Sequence, residues 1–153
     1  MMDAGCYAVS MVRFLAGAEP EVVSAEARLA SPAVDRWMRA ELRFPDGRTG
    51  RITAALFSAA LLRITARAIG DEGEMAVLNP LAPHFFHRLR LRTRTRRSTE
   101  RVPGDATYTC QLRAFARAVG QGERVPTDGA HGVANMAVID AIYRKAGLSP
   151  RGT

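Results

Sequence analysis

The sequence predicts an α+β fold: an open, mostly antiparallel β-sheet with helices packed on one face. The hydrophobic period is helical up to Gly17, changes to two between about Glu21 and Val102, and is helical again from Tyr108 to Lys145. The strands between are joined by tight turns, as antiparallel neighbours require. The order helix, strands, helices differs from the alternating βαβ of a parallel sheet. At 153 residues, with no repeat or low-complexity linker, residues 1–153 read as one domain large enough for a real core.

The opening MMDAGCYAVSMVRFLAG places Tyr7, Met11, Phe14 and Leu15 on one apolar stripe, with Ser10 and Arg13 off it. Gly17 and then Pro20 close this helix. Asp3 and Tyr7 are four residues apart and share a side. On spacing alone Asp3 reads as a helix cap and Tyr7 as a half-buried core residue. In EVVSAEARLA, Val23, Ala25, Ala27 and Leu29 alternate with Val22, Ser24, Glu26 and Arg28. In RWMRAELRF, Met38, Ala40, Leu42 and Phe44 alternate with Trp37, Arg39, Glu41 and Arg43. Pro45-Asp46-Gly47 then turns the chain into RTGRITAALFS, so residues 36–58 read as a hairpin. LLRITARAIG, a Gly70–Gly73 turn, EMAVLNP, FFHRLRLRTRT and a short strand near Glu100–Val102 complete the sheet. Two helices then supply a cover for its apolar face. One carries Tyr108, Leu112, Phe115, Ala116 and Val119 as a stripe. The other runs from about Gly129 to Lys145, with a wide apolar band that includes Val133, Met136, Ala137, Val138 and Ile142.

The formal net charge of +7 invites a nucleic-acid reading. Arg88, Arg90, Arg92, Arg94 and Arg96 recur at every second position, which on a strand puts five guanidinium groups on one face. The ladder has no interleaved aromatics to stack bases and no recognition-helix pattern accompanies it, which argues against nucleic acid. A solvated or partner-facing sheet surface fits better. No apolar run reaches the roughly 20 residues of a membrane span. No secretory leader is visible, and Cys6 and Cys110 are too few for a disulfide framework, so a reducing cytoplasm is expected.

Gly120-Gln121-Gly122 lacks a third glycine and follows a helix, so it is not a dinucleotide fingerprint. His84 and His87 read as ordinary histidines beside a proline-containing turn and not as metal ligands. His131 reads as a surface residue without a partner. No GxSxG nucleophile motif is present.

Taken together, MDAGCYAVSMVRFLAG, DGRTGRITAALFS, IGDEGEMAVLNP and the closing YTCQLRAFARAVGQGERVPTDGAHGVANMAVIDAIYRKAGL resemble the C-terminal domain of the Gfo/Idh/MocA oxidoreductases. The resemblance is greatest to the branch with dimeric dihydrodiol dehydrogenase, glucose–fructose oxidoreductase and NADP-dependent xylose dehydrogenase. It implies that Tyr7 and Asp3 match the active-site pair of the family's DxGxY motif. Tyr7 would then be the acid/base and Asp3 the supporting carboxylate, with Gly5 leaving space for cofactor or substrate. Transfer at a hydroxyl-bearing carbon needs a group to handle the hydroxyl proton. A free phenol, which titrates at roughly 10, is a weak base at neutral pH unless a cation favours its ionised form. The family supplies that cation as the lysine of an EKP motif in an N-terminal Rossmann domain.

That Rossmann half is not in this sequence; a displaced start, a split gene or an excised segment would each explain it. The implied cofactor of the full-length enzyme is NAD(P), with none expected on this chain alone, which is therefore expected to be inactive. The implied substrate is a sugar, polyol or trans-dihydrodiol. The implied partners are a second copy through the sheet face and a separate Rossmann-domain polypeptide. The alternative is a non-enzymatic interaction or sugar-binding module of the same fold.

Overall fold

The computed structural model describes residues 1–32, 34–56 and 64–151. Among these, three helices and seven strands follow the expected order: α1 (Gly5–Ala16), β1 (Glu21–Ser31), β2 (Val34–Arg43), β3 (Thr49–Ala55), β4 (Thr65–Gly70), β5 (Gly73–Leu78), β6 (Arg88–Thr93), β7 (Arg97–Glu100), α2 (Thr107–Gln121) and α3 (Gly129–Lys145). The α+β class with antiparallel sheets holds. The single sheet expected from sequence is instead two among the described residues, β1-β2-β3 and β4-β5-β6-β7. Phe57 and Ser58 of the expected third strand, and Leu61 to Arg63 of the fourth, lie outside the described residues. The chain divides into two compact units, Met1–Ala59 with Pro126–Thr153, and Ala60–Val125.

In the first unit β2 is the central strand, so its alternation buries one face completely. Met38, Ala40 and Leu42 point inward, where they meet Val9 of α1 and Ile139, Ile142 and Tyr143 of α3. Burying each large apolar side chain of this set stabilises the unit by about 1.5–3 kcal/mol. At the Pro45-Asp46-Gly47 turn, Gly47 adopts φ 86°, and the Asp46 carboxylate accepts from the Arg48 backbone N–H at 3.1 Å. β1 departs from the expected parity. A register shift between Val22 and Ser24 puts Val22 in the core, on the same side as Ala25 and Ala27, and leaves Val23 exposed.

The first helix also presents a different face from the one its apolar stripe predicts. Gly5, Val9 and Arg13 are buried, with Cys6, Ala8 and Val12 packed on the core beside them. Tyr7, Phe14 and Leu15 are exposed. Small side chains let α1 lie close against β3, whereas the bulky stripe has no room there. α3 spans the expected residues and packs on β1 and α1, with burial concentrated from Val138 to Tyr143.

The second unit is a four-stranded meander. Gly70 pairs with Gly73 across a two-residue turn, and a Cβ on Gly73 would collide with the Arg92 carbonyl of the neighbouring strand. Asn79, buried and at φ 54°, ties down the next loop by donating to the Ala82 and Phe86 carbonyls at 2.8 Å each. The arginine ladder is shorter than expected. Arg88, Arg90 and Arg92 share one face of β6, but Arg94 and Arg96 sit in the turn before β7. That turn closes because the Thr93 hydroxyl accepts from the Arg96 N–H at 3.0 Å. α2 buries no residue, and its stripe of Tyr108, Leu112, Phe115 and Val119 is exposed rather than laid on a sheet. Among the described residues no helix is long and apolar enough to cross a membrane.

Candidate functional site

Asp3 lies in the turn that leads into α1, ahead of the N-cap residue Ala4, which has helical backbone angles and no capping side chain. Asp3 therefore does not cap the helix. Its side chain is exposed, and Tyr7, one turn further on, is 56% exposed rather than half-buried. Among the described residues neither side chain has a hydrogen-bond partner within the protein, so both are available to a ligand. The space expected beside Gly5 is filled: a Cβ there would run into the Met1 thioether and lie 3.2 Å from Ala54 Cβ. Gly5 serves the packing of α1 on β3, not the approach of a ligand.

The side of α1 that meets α3 is held by a polar network. Arg13, only 6% exposed, donates twice to the Glu19 carboxylate, at 2.6 and 2.7 Å. Its third nitrogen reaches Asn135 Oδ1 at 3.2 Å and the His131 carbonyl at 3.4 Å. Asn135 in turn donates to the Cys6 carbonyl. Hydrogen bonds from the Arg13 guanidinium hold the Glu19 carboxyl below its usual range. His131 is half-buried, and its Nε2 lies 3.0 Å from Ser10 Oγ. The sequence reading of His131 as a partnerless surface residue is thus corrected. Its partner is 121 positions away, beyond the reach of any spacing rule.

A cavity of about 180 Å³ opens beside Asp3, with Met1, Asp35, Ala54, Tyr143 and Arg151 among its walls. The buried Tyr143 hydroxyl donates to Asp35 Oδ1 at 2.6 Å, and the Met1 ammonium pairs with the other carboxylate oxygen. Burial alone would raise the Asp35 carboxyl; the bonds from Met1 and Tyr143 outweigh it and hold the group below its usual range. Burial, and then the bond to Asp35, push the Tyr143 phenol up to about 12. Tyr143 is fully buried, whereas Tyr7 is open.

His84 and His87 precede β6 in a turn, and each bonds to protein: His87 to the Pro83 carbonyl and the Val102 N–H, His84 to Thr107. No cluster able to hold a metal occurs among the described residues. The Gly120-Gln121-Gly122 segment ends α2, with Gly122 at φ 68° as its C-cap. A helix C-terminus carries partial negative charge and offers carbonyls, so this segment does not fit a dinucleotide pyrophosphate, which needs a helix N-terminus.

Residues 1–76 match the family model described as the GFO/IDH/MocA C-terminal domain. The chain belongs to the Gfo/Idh/MocA family, as its C-terminal domain. Curated relatives agree. The chain is 30% identical over 146 residues to the D-xylose 1-dehydrogenase (NADP(+)) 2 of Haloferax volcanii, spanning 95% of this chain and 45% of that protein. It is 27% identical over 154 residues to an uncharacterized oxidoreductase of Rhizobium meliloti, spanning 95% and 46%. The chain thus spans a little under half the length of these relatives. Solved structures show the same fold for this Gfo/Idh/MocA domain. A 3-ketoreductase from Actinomadura kijaniata, in complex with NADP and TDP-benzene, superposes with TM-score 0.81 at 20% identity, over 94% of this chain and 46% of that one. The UDP-N-acetylglucosamine 3-dehydrogenase of Acidithiobacillus ferrooxidans gives 0.80 at 19% identity, over 95% and 46%.

Proposed function

We propose that this chain is the catalytic and oligomerisation domain of an NAD(P)-dependent oxidoreductase acting on CH–OH groups of a sugar, polyol or trans-dihydrodiol. The observation that carries the reading is the open Tyr7 phenol on the rigid helix α1, with the Asp3 carboxylate one turn before it. Tyr7 takes or gives the hydroxyl proton of the reacting carbon, and Asp3 orients the substrate. The name of the Haloferax volcanii relative, a D-xylose dehydrogenase, supports the sugar class. The glycine pair at the end of α2 does not suit a dinucleotide, so a separate Rossmann domain supplies that group, and this chain is inactive without it. The exposed face of α1, with Phe14 and Leu15 beside Tyr7, is where that domain docks.

Residues 1–153 act together as one substrate and oligomerisation domain in the cytoplasm, where the free thiols of Cys6 and Cys110 stay reduced. A second copy covers a sheet face. The outer face of the first sheet suits this, because its charges are mixed and self-complementary. Arg28 stacks over Trp37 at 5.1 Å, and Glu41 bonds both Arg39 and Arg51.

The test is complementation. The chain, joined to the nucleotide-binding half of the D-xylose dehydrogenase, should reduce NADP in the presence of a sugar or polyol. Tyr7→Phe should lower that rate by at least about a hundredfold, the lower end of a general acid–base contribution. A chimera that folds and binds NADP yet turns over as fast with phenylalanine at this position would refute the assignment. The isolated chain, titrated with NADPH, should show no micromolar binding.

A further inference from the structure

We infer that Ser10 and His131 form a hydroxyl-recognition subsite beside Tyr7, which binds a second, non-reacting hydroxyl of a neutral sugar or cyclic polyol. The inference rests on the proposed role of Tyr7 and deepens it. His131 is fixed at three points: its backbone N–H donates to Asp128 Oδ1 at 2.9 Å, its carbonyl accepts from Arg13, and its Nε2 meets Ser10 Oγ at 3.0 Å. The first two bonds fix the His131 backbone and the third orients its half-buried ring before any ligand arrives, which favours a specific contact. Its Nδ1 has no protein partner among the described residues.

Position and chemistry both suit a substrate hydroxyl. Ser10 follows Tyr7 by three residues, about 4.5 Å along the helix axis, and the two share an edge of α1. A ligand ring with its reacting carbon at Tyr7 would bring a further hydroxyl to Ser10 and His131. A serine hydroxyl donates and accepts and an imidazole offers a ring nitrogen, as contact with a sugar hydroxyl requires. A carboxylate or phosphate would instead call for a free cation, and the nearest one, Arg13, is engaged by both oxygens of Glu19. Phe14, one turn beyond Ser10 and 74% exposed, offers an apolar surface to the C–H face of such a ring.

The experiment follows ring resonances of the labelled full chain by NMR during titration with D-xylose. The three histidines, His84, His87 and His131, can be assigned by single substitution. Saturable shifts at Tyr7 and His131, with His84 and His87 still, are expected. Ser10→Ala should reduce the His131 response at least fivefold, and Ser10→Thr, which keeps the hydroxyl, should restore it. A response at Tyr7 without one at His131 overturns the subsite and leaves the role of Tyr7 standing. A response at His131 alone, or at neither, overturns the pairing and the Tyr7 reading with it.

Discussion

Replacing Tyr143 by phenylalanine removes one oxygen from the centre of the first unit and leaves the ring in place. Tyr143 and Ile142 are fully buried, and the lost hydroxyl donates to Asp35 at 2.6 Å. A hydrogen bond to a charged partner contributes about 1.5–3 kcal/mol. For a chain of this length, about 2 kcal/mol lowers Tm by about 4–8 °C. The pH dependence has a definite sign. The folded protein holds the Tyr143 proton more tightly than the unfolded chain, so this stabilisation is complete below pH 10.0 and is lost as pH rises from there towards about 12. Thermal melts of wild type and Tyr143→Phe should therefore differ by several degrees at pH 7, and the gap should close at alkaline pH. A variant that melts within 1 °C of wild type at pH 7, with a gap independent of pH, would refute the reasoning.

Arg13→Met should cost about 1–3 kcal/mol in urea unfolding, because it leaves Asn135 Oδ1 and the His131 carbonyl without their donor. Glu19→Gln should cost about 1.5–3 kcal/mol, because it leaves the buried Arg13 guanidinium facing a neutral acceptor. Glu19 sits below its usual range, so its stabilisation is present above the ordinary value of 4.5 and fades as pH falls through the lower folded value; Glu19→Gln should flatten that acid slope. Gly73→Ala should destabilise the second unit by about 1–3 kcal/mol and speed amide exchange in β5 and β6, while Gly104→Ala, in open space, should do neither. Tyr7→Phe and Asp3→Asn should change stability by less than about 0.5 kcal/mol, as expected for exposed side chains without protein partners. Calorimetry of each variant checks this.

The β2–β3 hairpin and α3 could be read from the sequence almost to the residue, since each has a clear period and a strong stop. Proline, aspartate and glycine mark the hairpin turn, while Asp128 and Gly147 bracket the helix. Other features left no such signal. One extra residue between Val22 and Ser24 reverses which side of β1 faces inward, and alternation alone cannot reveal a bulge. The turn after Thr93 contains neither glycine nor proline, so in the sequence the arginine alternation runs straight through it. The roles proposed for Tyr7 and Asp3 come from the family resemblance, because their spacing is equally that of a cap and a core residue. The Ser10–His131 contact was legible by neither route, since it exists only once α1 and α3 have packed together.

The two faces of α1 explain why its apolar stripe misled. A helix face is buried according to how closely it can approach its neighbours, not only by how oily it is. Gly5, Ala8, Val9 and Val12 are small enough for α1 to settle against β3, and Arg13 extends that face by satisfying its guanidinium within the seam with α3. The bulkier Tyr7, Phe14 and Leu15 are then forced outward. Exposed aromatic and aliphatic groups on a helix so firmly anchored from behind fit the docking face proposed for α1. Loosening the anchor should therefore disturb the outer face as well: Arg13→Met should shift the ring resonances of Tyr7 and His131 under conditions where the variant remains folded. If those resonances stay in place while stability falls, the buried network acts as a brace alone and does not set the position of the outer face.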